Sequence, residues 1–194
     1  MNPKKEAILR KVLDILSQSE HEQKLTLSHI AESLDMGKST LYEYFPHKDA
    51  MICDAMFLVL DENLLNLTKP LDEACDFEEA LSSYIERSFH LANENKLIEN
   101  MMQNVDVARV GAQYKAKIDK KLVEFYAELQ SYLDELFAIG YKESVINKPF
   151  EGMERLTVES LLLGAFIMVQ HPFSKLDKSG FTHHLYQTIL TLLN

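Results

Sequence analysis

The sequence predicts an all-helical protein of about nine helices, and three observations support this prediction. Gly occurs 6 times and Pro 5 times among the 194 residues, which is about half their usual combined share. A chain with so few turn-forming residues favours long helices over many short strands. Apolar residues recur at helical spacing, as in Ile8, Leu9, Val12 and Leu16. No segment shows the alternation of apolar and polar residues that is typical of a half-buried strand.

Prolines, caps and polar breaks divide this pattern into elements. Pro3 begins the first helix, because the N–H that proline lacks has no partner in a first turn. Pro46 ends the third helix, since the residue before a proline is driven out of the α region. Asp76 is expected to cap a helix, with Glu79 three residues later, and Gly140 to end one. The predicted helices are 3–18, about 27–34, 38–45, 48–67, 77–93, 97–105, 108–139, 153–171 and 180–193.

Composition and charge narrow the class of protein. Hydrophobic residues make up 46% of the chain and charged residues 26%, which is ordinary for a folded globular protein and excludes intrinsic disorder. Cys53 and Cys75 form neither a disulfide framework nor a metal-binding pair, as expected in a reducing compartment. The net charge is −10, but residues 1–50 carry 7 basic and 8 acidic side chains. Any contact with a polyanion is therefore expected in this nearly neutral first quarter.

Targeting and catalytic motifs are not found in the sequence. The N-terminus has no apolar signal region and no run reaches the roughly 20 apolar residues of a membrane span, so we expect a cytoplasmic protein with no membrane partner. The sequence has no GxSxG, P-loop, GxGxxG or HExxH motif. We expect neither enzymatic activity nor a cofactor nor a bound metal.

The most informative segment is TLSHIAESLDMGKSTLYEYFPHK, residues 26–48. It has the pattern of two short helices joined by a three-residue turn, with the small Ala31 where the helices cross. Asp35 lies where a left-handed residue is often needed, which Asp tolerates better than most, and Gly37 is an acceptable N-cap. This pattern is typical of a helix-turn-helix whose second helix enters a DNA major groove.

The outer face of that second helix offers groups that bind nucleic acid. Lys, Ser, Thr and Tyr side chains donate to phosphates or base edges, whereas Glu43 can only accept, for instance from a cytosine amine. The next helix begins near His47 and Lys48, and a helix N-terminus favours an anion. The outward side chains predicted on the second helix are Lys38, Ser39, Thr40, Tyr42, Glu43 and Tyr44.

Two strings in this segment, Ile30-Ala31-Glu32 and Lys38 to Lys48 (KSTLYEYFPHK), resemble the TetR family of transcriptional regulators. The resemblance covers about residues 5–60, and beyond them the chain agrees in length and helical character. It implies that Thr26 and Ser28 contact phosphates, that Lys38 and Ser39 face base edges, and that Lys48 binds a phosphate. It also implies that Thr40, Tyr42 and Tyr44 hold the DNA backbone. Asp35 and Gly37 depart from the family's usual turn glycine and Ser/Thr N-cap.

The domain organisation that this implies is an N-terminal three-helix DNA-binding domain, residues 1–47, and a larger effector-binding and dimerisation domain, residues 48–194. Residues 161–169 are apolar on every face of their helix, so they need cover on every side. We interpret this helix and the last one as a homodimer interface, with a deep core of one chain as the alternative. The predicted interface residues are Ser160, Leu163, Gly164, Ile167, Phe181, Leu185, Ile189 and Leu192.

An effector pocket is expected among the middle helices. Aromatic and Met side chains suit an adaptable apolar pocket, although each of them is as compatible with an ordinary core. The predicted pocket residues are Phe89, His90, Met101, Met102, Arg109, Phe125, Tyr126 and Phe166. The function predicted is a homodimeric repressor that binds double-stranded operator DNA and is released by a small apolar effector. The alternative is a helix-turn-helix co-regulator that binds a protein partner.

Overall fold

The computed structural model describes residues 2–18, 26–69, 76–104, 107–169 and 177–194, and only the backbone for 92–104, 107–113 and 169. The regular secondary structure of this part of the chain is entirely helical, and it contains no strand. Its eight helices are α1 (Pro3–Gln18), α2 (Leu27–Ser33), α3 (Lys38–Tyr44), α4 (Lys48–Leu67), α5 (Phe77–Asn104), α6 (Val107–Lys142), α7 (Gly152–Val169) and α8 (Lys178–Leu193). The predicted all-helical class is confirmed. None of the helices described combines the length and apolar character that a membrane span requires.

Two predicted helix boundaries were wrong, and in both cases the observed helix is longer than the predicted one. α5 continues through Asn93–Asn95, where a break was predicted, because asparagine costs only about 0.7 kcal/mol in a helix interior. α6 continues past Gly140 to Lys142. The left-handed residue near its end is Ser144, with a φ of 61°, and the N–H of Val145 donates to the Gly140 carbonyl at 2.9 Å.

The chain forms two compact units. Unit 1 comprises Met1–Glu62 and Glu94–Phe125, and unit 2 comprises Asn63–Asn93 and Tyr126–Asn194. α4, α5 and α6 each contribute residues to both units. These units are defined by which residues pack together. The division into a DNA-binding domain, residues 1–47, and an effector-binding and dimerisation domain, residues 48–194, stays a prediction.

The core of unit 1 is built from the apolar faces of the first four helices. Ile8, Leu9 and Val12 of α1 are at most 3% exposed, as their helical spacing predicts. They pack with buried residues of the three following helices, which are Ile30, Ala31, Leu41, Phe45, Met51, Ile52, Ala55 and Val59.

The core of unit 2 is aromatic. Phe77, at the start of α5, is fully buried, and its ring meets that of Phe137 edge-on at 5.5 Å. Phe150 stacks on Phe137 at 3.9 Å between ring centroids. Gly140 lies one turn after Phe137, and a Cβ atom there would come within 2.8 Å of the Phe77 ring. Gly140 is therefore needed for a close approach of helix and ring, and not for a helix terminus as predicted.

We expect Gly140→Ala to lower the free energy of unfolding by about 1–3 kcal/mol, because the added methyl group overpacks the core against Phe77. We expect this loss of stability even though alanine stabilises a helix by about 1 kcal/mol relative to glycine. Urea unfolding followed by circular dichroism measures it.

A double-mutant cycle with Phe77→Leu provides the control, since the smaller side chain leaves room for the methyl group. An equal cost of Gly140→Ala in both backgrounds would show that the ring is not what excludes the methyl group.

Candidate functional site

The turn between α2 and α3 has the backbone geometry that its sequence predicts. Asp35 has a φ of 51°, so the left-handed conformation expected at this residue is present. The N–H of Met36 donates to the Ala31 carbonyl at 2.9 Å, which closes the end of α2. Gly37 is the N-cap of α3, and its carbonyl accepts from the Thr40 N–H at 3.0 Å. The turn thus directs α3 away from α2 over only a few residues.

One face of α3 fixes the helix on the protein. Leu41 and Phe45 are each 1% exposed and pack in the core of unit 1 with Ile30 and Ala31. The Lys5 ammonium lies 5.1 Å from the centre of the Phe45 ring, and it pairs with Asp54 at 2.6 Å. The contribution of Lys5 was not predicted, because nothing in its local sequence indicates a contact with α3.

The opposite face of α3 is open. Lys38, Ser39, Tyr42 and Glu43 are exposed, Tyr42 to 55%, and Thr40 and Tyr44 are half-buried. Within the described part of the chain no ion pair engages Lys38. The predicted outward set is therefore brought together on one surface, with the hydrogen-bond donors of Lys38, Ser39 and Tyr42 directed away from the core.

Residues near the starts of α2 and α4 were also predicted to contact DNA. Thr26 caps α2, and its hydroxyl oxygen accepts from the His29 N–H at 3.2 Å. That bond leaves the hydroxyl proton for donation to another acceptor. Thr26 is exposed, and Ser28 and Lys48 are half-buried.

His47 differs from the sequence-based expectation in one respect. Its Nδ1 accepts the Ala50 N–H at 3.0 Å, so this side chain already occupies one of the α4 amides that was expected to meet an anion. The His47 ring also lies 5.9 Å from the Tyr114 ring. His47 thus acts as a cap of α4.

The residues predicted to line a pocket are only partly brought together. Phe89 is buried and stacks on Phe181 at 5.8 Å, and Phe166 is half-buried in the same unit. Tyr126 is 54% exposed, and its hydroxyl donates to Glu159 at 3.4 Å. Phe125 is half-buried in unit 1. The side chains of Met101, Met102 and Arg109 lie outside the described residues.

A cleft of about 360 Å³ lies in unit 2 beside His90. Among the described residues of its walls, His90 is the one that the sequence analysis assigned to a pocket, and the others were not predicted. Of these, Arg87 donates to Ser83, to the Leu67 carbonyl and to Tyr132. Sequence reasoning missed Arg87, although Ser83, Arg87 and His90 share one face of a helix by their spacing.

The predicted interface residues separate into two groups. Ser160, Leu163 and Ile167 of α7 are exposed, and a Cβ at Gly164 would meet no atom within 4 Å. On α8, Leu185 and Ile189 are only 5% and 0% exposed. Phe181 and Leu192 are half-buried, Phe181 against Phe89. Leu185 and Ile189 thus face the core of their own chain.

Comparisons with known proteins support the resemblance seen in the sequence. The sequence model of the tetR family of bacterial regulatory proteins matches residues 23–54, which include the turn and the whole of α3. No curated protein matches the chain.

Solved structures share the fold over nearly the whole chain. A TetR-family protein described as a putative transcriptional regulator from Vibrio parahaemolyticus is 16% identical, with 98% of each chain covered and a TM-score of 0.68. GusR of Salmonella enterica is 18% identical, with 100% of this chain and 97% of that one covered and a TM-score of 0.65. The fatty acid degradation regulator FadR from Bacillus halodurans is 20% identical, with 98% and 96% covered and a TM-score of 0.62. The helix-turn-helix segment of the chain thus matches the tetR family of bacterial regulatory proteins, and the chain as a whole shares its all-helical fold with solved structures of TetR-family proteins.

Proposed function

We propose that the protein is a homodimeric repressor that binds operator DNA through α3 and is released by a small-molecule effector. The observation that carries the DNA-binding part is the division of α3 into two faces. Leu41 is 1% exposed whereas Tyr42, the next residue, is 55% exposed. A short helix anchored on one side and open on the other is what insertion into a major groove requires.

The roles of individual residues follow from their chemistry and position. Lys38 and Ser39, at the exposed N-terminal end of α3, are suited to base edges, since recognition helices read bases with their first residues. Thr40, Tyr42 and Tyr44 offer hydroxyl donors to the DNA backbone. Thr26, Ser28, His47 and Lys48, near the starts of α2 and α4, are assigned to phosphates.

The affinity for DNA is expected to depend only mildly on salt concentration. Each phosphate that a cation neutralises contributes roughly −0.9 to the slope of log affinity against log salt. Lys38 and Lys48 are the two cations of the proposed surface, and Glu43 on α3 adds a negative charge. Specific hydrogen bonds rather than a high positive charge therefore carry binding in this proposal.

Dimerisation is assigned to the exposed face of α7. Met153, Leu156, Leu163 and Ile167 are 56–71% exposed in the single chain, and they recur at helical spacing along one side. Apolar surface of this extent on a globular protein marks an interaction site. Gly164 lies among these side chains with no atom near its missing Cβ, so a partner helix can approach closely. Two copies joined in this way present two α3 helices to one duplex.

Release by an effector is assigned to a change in α4. This helix carries residues 48–62 of unit 1 and 63–67 of unit 2, and it contains neither Gly nor Pro. An effector that binds the DNA-incompetent conformation more tightly shifts the population toward it. Equal separation of the two α3 helices in effector-free and effector-bound dimers would contradict this mechanism.

A protein-binding co-regulator is the second candidate, and Glu43 on the outer face of α3 favours it. A carboxylate there is repelled by phosphate, and unit 1 has no marked excess of positive charge in residues 1–50. In this case α3 would dock on another protein and show no affinity for duplex DNA.

We expect the intact protein to select a duplex sequence from a random double-stranded library. Tyr42→Ala should weaken binding to the selected duplex roughly tenfold or more, the usual effect of losing a hydrogen bond to a charged group. Fluorescence anisotropy measures the affinity. Lys48→Gln should reduce the salt slope by about 1.

Tyr141→Ala is the matched control, because Tyr141 is 58% exposed on α6, much like Tyr42 on α3. Selection of no duplex at low salt would reject the DNA-binding function and favour the co-regulator. Equal affinities of the two tyrosine variants would reject α3 as the contact surface.

We expect the protein to have twice the mass of one chain in sedimentation equilibrium. Ile167→Asp should give a single-chain mass, because burial of an unpaired carboxylate in an apolar interface is costly.

Val123→Asp is the control, since Val123 is likewise an apolar and exposed residue, at 69% on α6, outside the proposed interface. A wild-type protein with the mass of one chain at working concentration would exclude the dimer. A dimer that persists in Ile167→Asp would place the interface elsewhere.

A further inference from the structure

We propose that the cleft in unit 2 binds a small polar carboxylate through Arg87 and Lys69. The cleft has a volume of about 360 Å³, at the lower end of the range for small-molecule sites. Its walls combine residues from the end of α4 with one face of α5. The described lining residues are Asn66, Lys69, Ser83, Glu86, Arg87, His90 and Leu91.

Arg87 is held in place by neutral groups. One guanidinium nitrogen, Nη1, donates to the Ser83 hydroxyl at 2.7 Å. The other, Nη2, donates to the Tyr132 hydroxyl at 2.8 Å and to the Leu67 carbonyl at 3.3 Å. The Nε nitrogen is buried and has no hydrogen-bond partner among the described residues. Among the described residues, Arg87 is therefore positioned as a cation with no group of opposite charge hydrogen-bonded to it.

Other arginines in the described chain differ in this respect. Arg155, in the same unit, pairs with Asp134 at 2.6 Å and with Glu159 at 2.8 Å. Arg10, in unit 1, pairs with Glu6 and with Glu62, both at 2.8 Å. Removing a charge from water without a counter-charge is unfavourable. An anion that enters the cleft supplies the charged partner that Arg87 lacks among the described residues.

The chemistry of the cleft indicates which anion. The planar guanidinium of arginine matches the geometry of a carboxylate, and Lys69 at the exposed rim adds a second positive charge. Among the described lining residues, Glu86 is the one acidic side chain and Leu91 the one apolar side chain. A small carboxylate with further polar groups matches these side chains, whereas the sequence predicted an apolar effector.

The support for Arg87 is rigid. Tyr132 is 6% exposed and stacks on Tyr84 at 5.9 Å between ring centroids. Burial raises the pKa of Tyr84 to about 12, so the Tyr84 ring introduces no negative charge near Arg87 at physiological pH. A site held by buried side chains needs little reorganisation when a ligand binds.

The location of the cleft gives it a regulatory role, which rests on the proposed function. The Leu67 carbonyl belongs to the last residue of α4, and its bond to Arg87 is the longest of the three. A carboxylate on the guanidinium competes with that carbonyl for the Nη2 protons. Binding is thereby coupled to the end of the helix assigned to transmit the effector signal.

Titration calorimetry of the full-length protein with succinate, malate and citrate tests the site. We expect saturable binding of at least one acid, and none of succinamide, the uncharged counterpart of succinate. Lys69→Gln should weaken that binding about tenfold and Arg87→Gln more strongly, since each removes a charge-assisted contact. Arg155→Gln, which changes an arginine that already has carboxylate partners, should leave the affinity unchanged.

Lys69 is exposed, so its replacement tests the cleft even if Arg87→Gln fails to fold. Binding of none of the three acids, equal binding of succinamide, or full affinity in Lys69→Gln would overturn the site. Acid binding that leaves the affinity for DNA unchanged would overturn its regulatory role. Loss of DNA selection with acid binding retained would instead reject the proposed function and leave the site standing.

Discussion

The burial of Leu41 and Phe45 is the constraint on which the candidate DNA-binding surface depends. Both side chains are 1% exposed within the core of unit 1, and a helix as short as α3 has no stability of its own. With one face fixed in this way, Lys38, Ser39 and Tyr42 have no orientation except outward. Packing of α3 in the hydrophobic core thus directs its polar face to the solvent, and the proposed DNA binding depends on that orientation.

In unit 2, aromatic packing holds the side chains of the candidate ligand site in place. Phe77 and Phe137 make the edge-on pair that brings α5 against α6, and Gly140 allows the close approach. The stacked tyrosines Tyr84 and Tyr132 continue this packing, and Tyr132 accepts the Arg87 hydrogen bond. A polar cleft therefore lies beside a rigid core, which is how binding groups are held in place before a ligand arrives.

The sequence predicted local features well where a single residue type has a single conformational consequence. Pro3 begins α1, Asp35 adopts the left-handed conformation, and Asp76 caps α5 through the Glu79 N–H at 2.8 Å. It failed where a residue has several uses. Gly140 is a residue type that often ends a helix, but here it allows a close contact with the Phe77 ring. The Asn93–Asn95 segment is of a type that often breaks a helix, but α5 continues through it.

The sequence by itself determined the helical class, the helix-turn-helix and which residues of α3 face outward, because these depend on periodicity and short-range geometry. Only the tertiary structure decided which apolar residues remain exposed. Leu163 and Ile189 occupy equally apolar stripes, yet one is 60% exposed and the other fully buried. The environment of Arg87 was likewise set by Leu67 and Tyr132, which are 20 and 45 residues away in the chain. Periodicity fixes a face of a helix but does not specify which neighbour covers it.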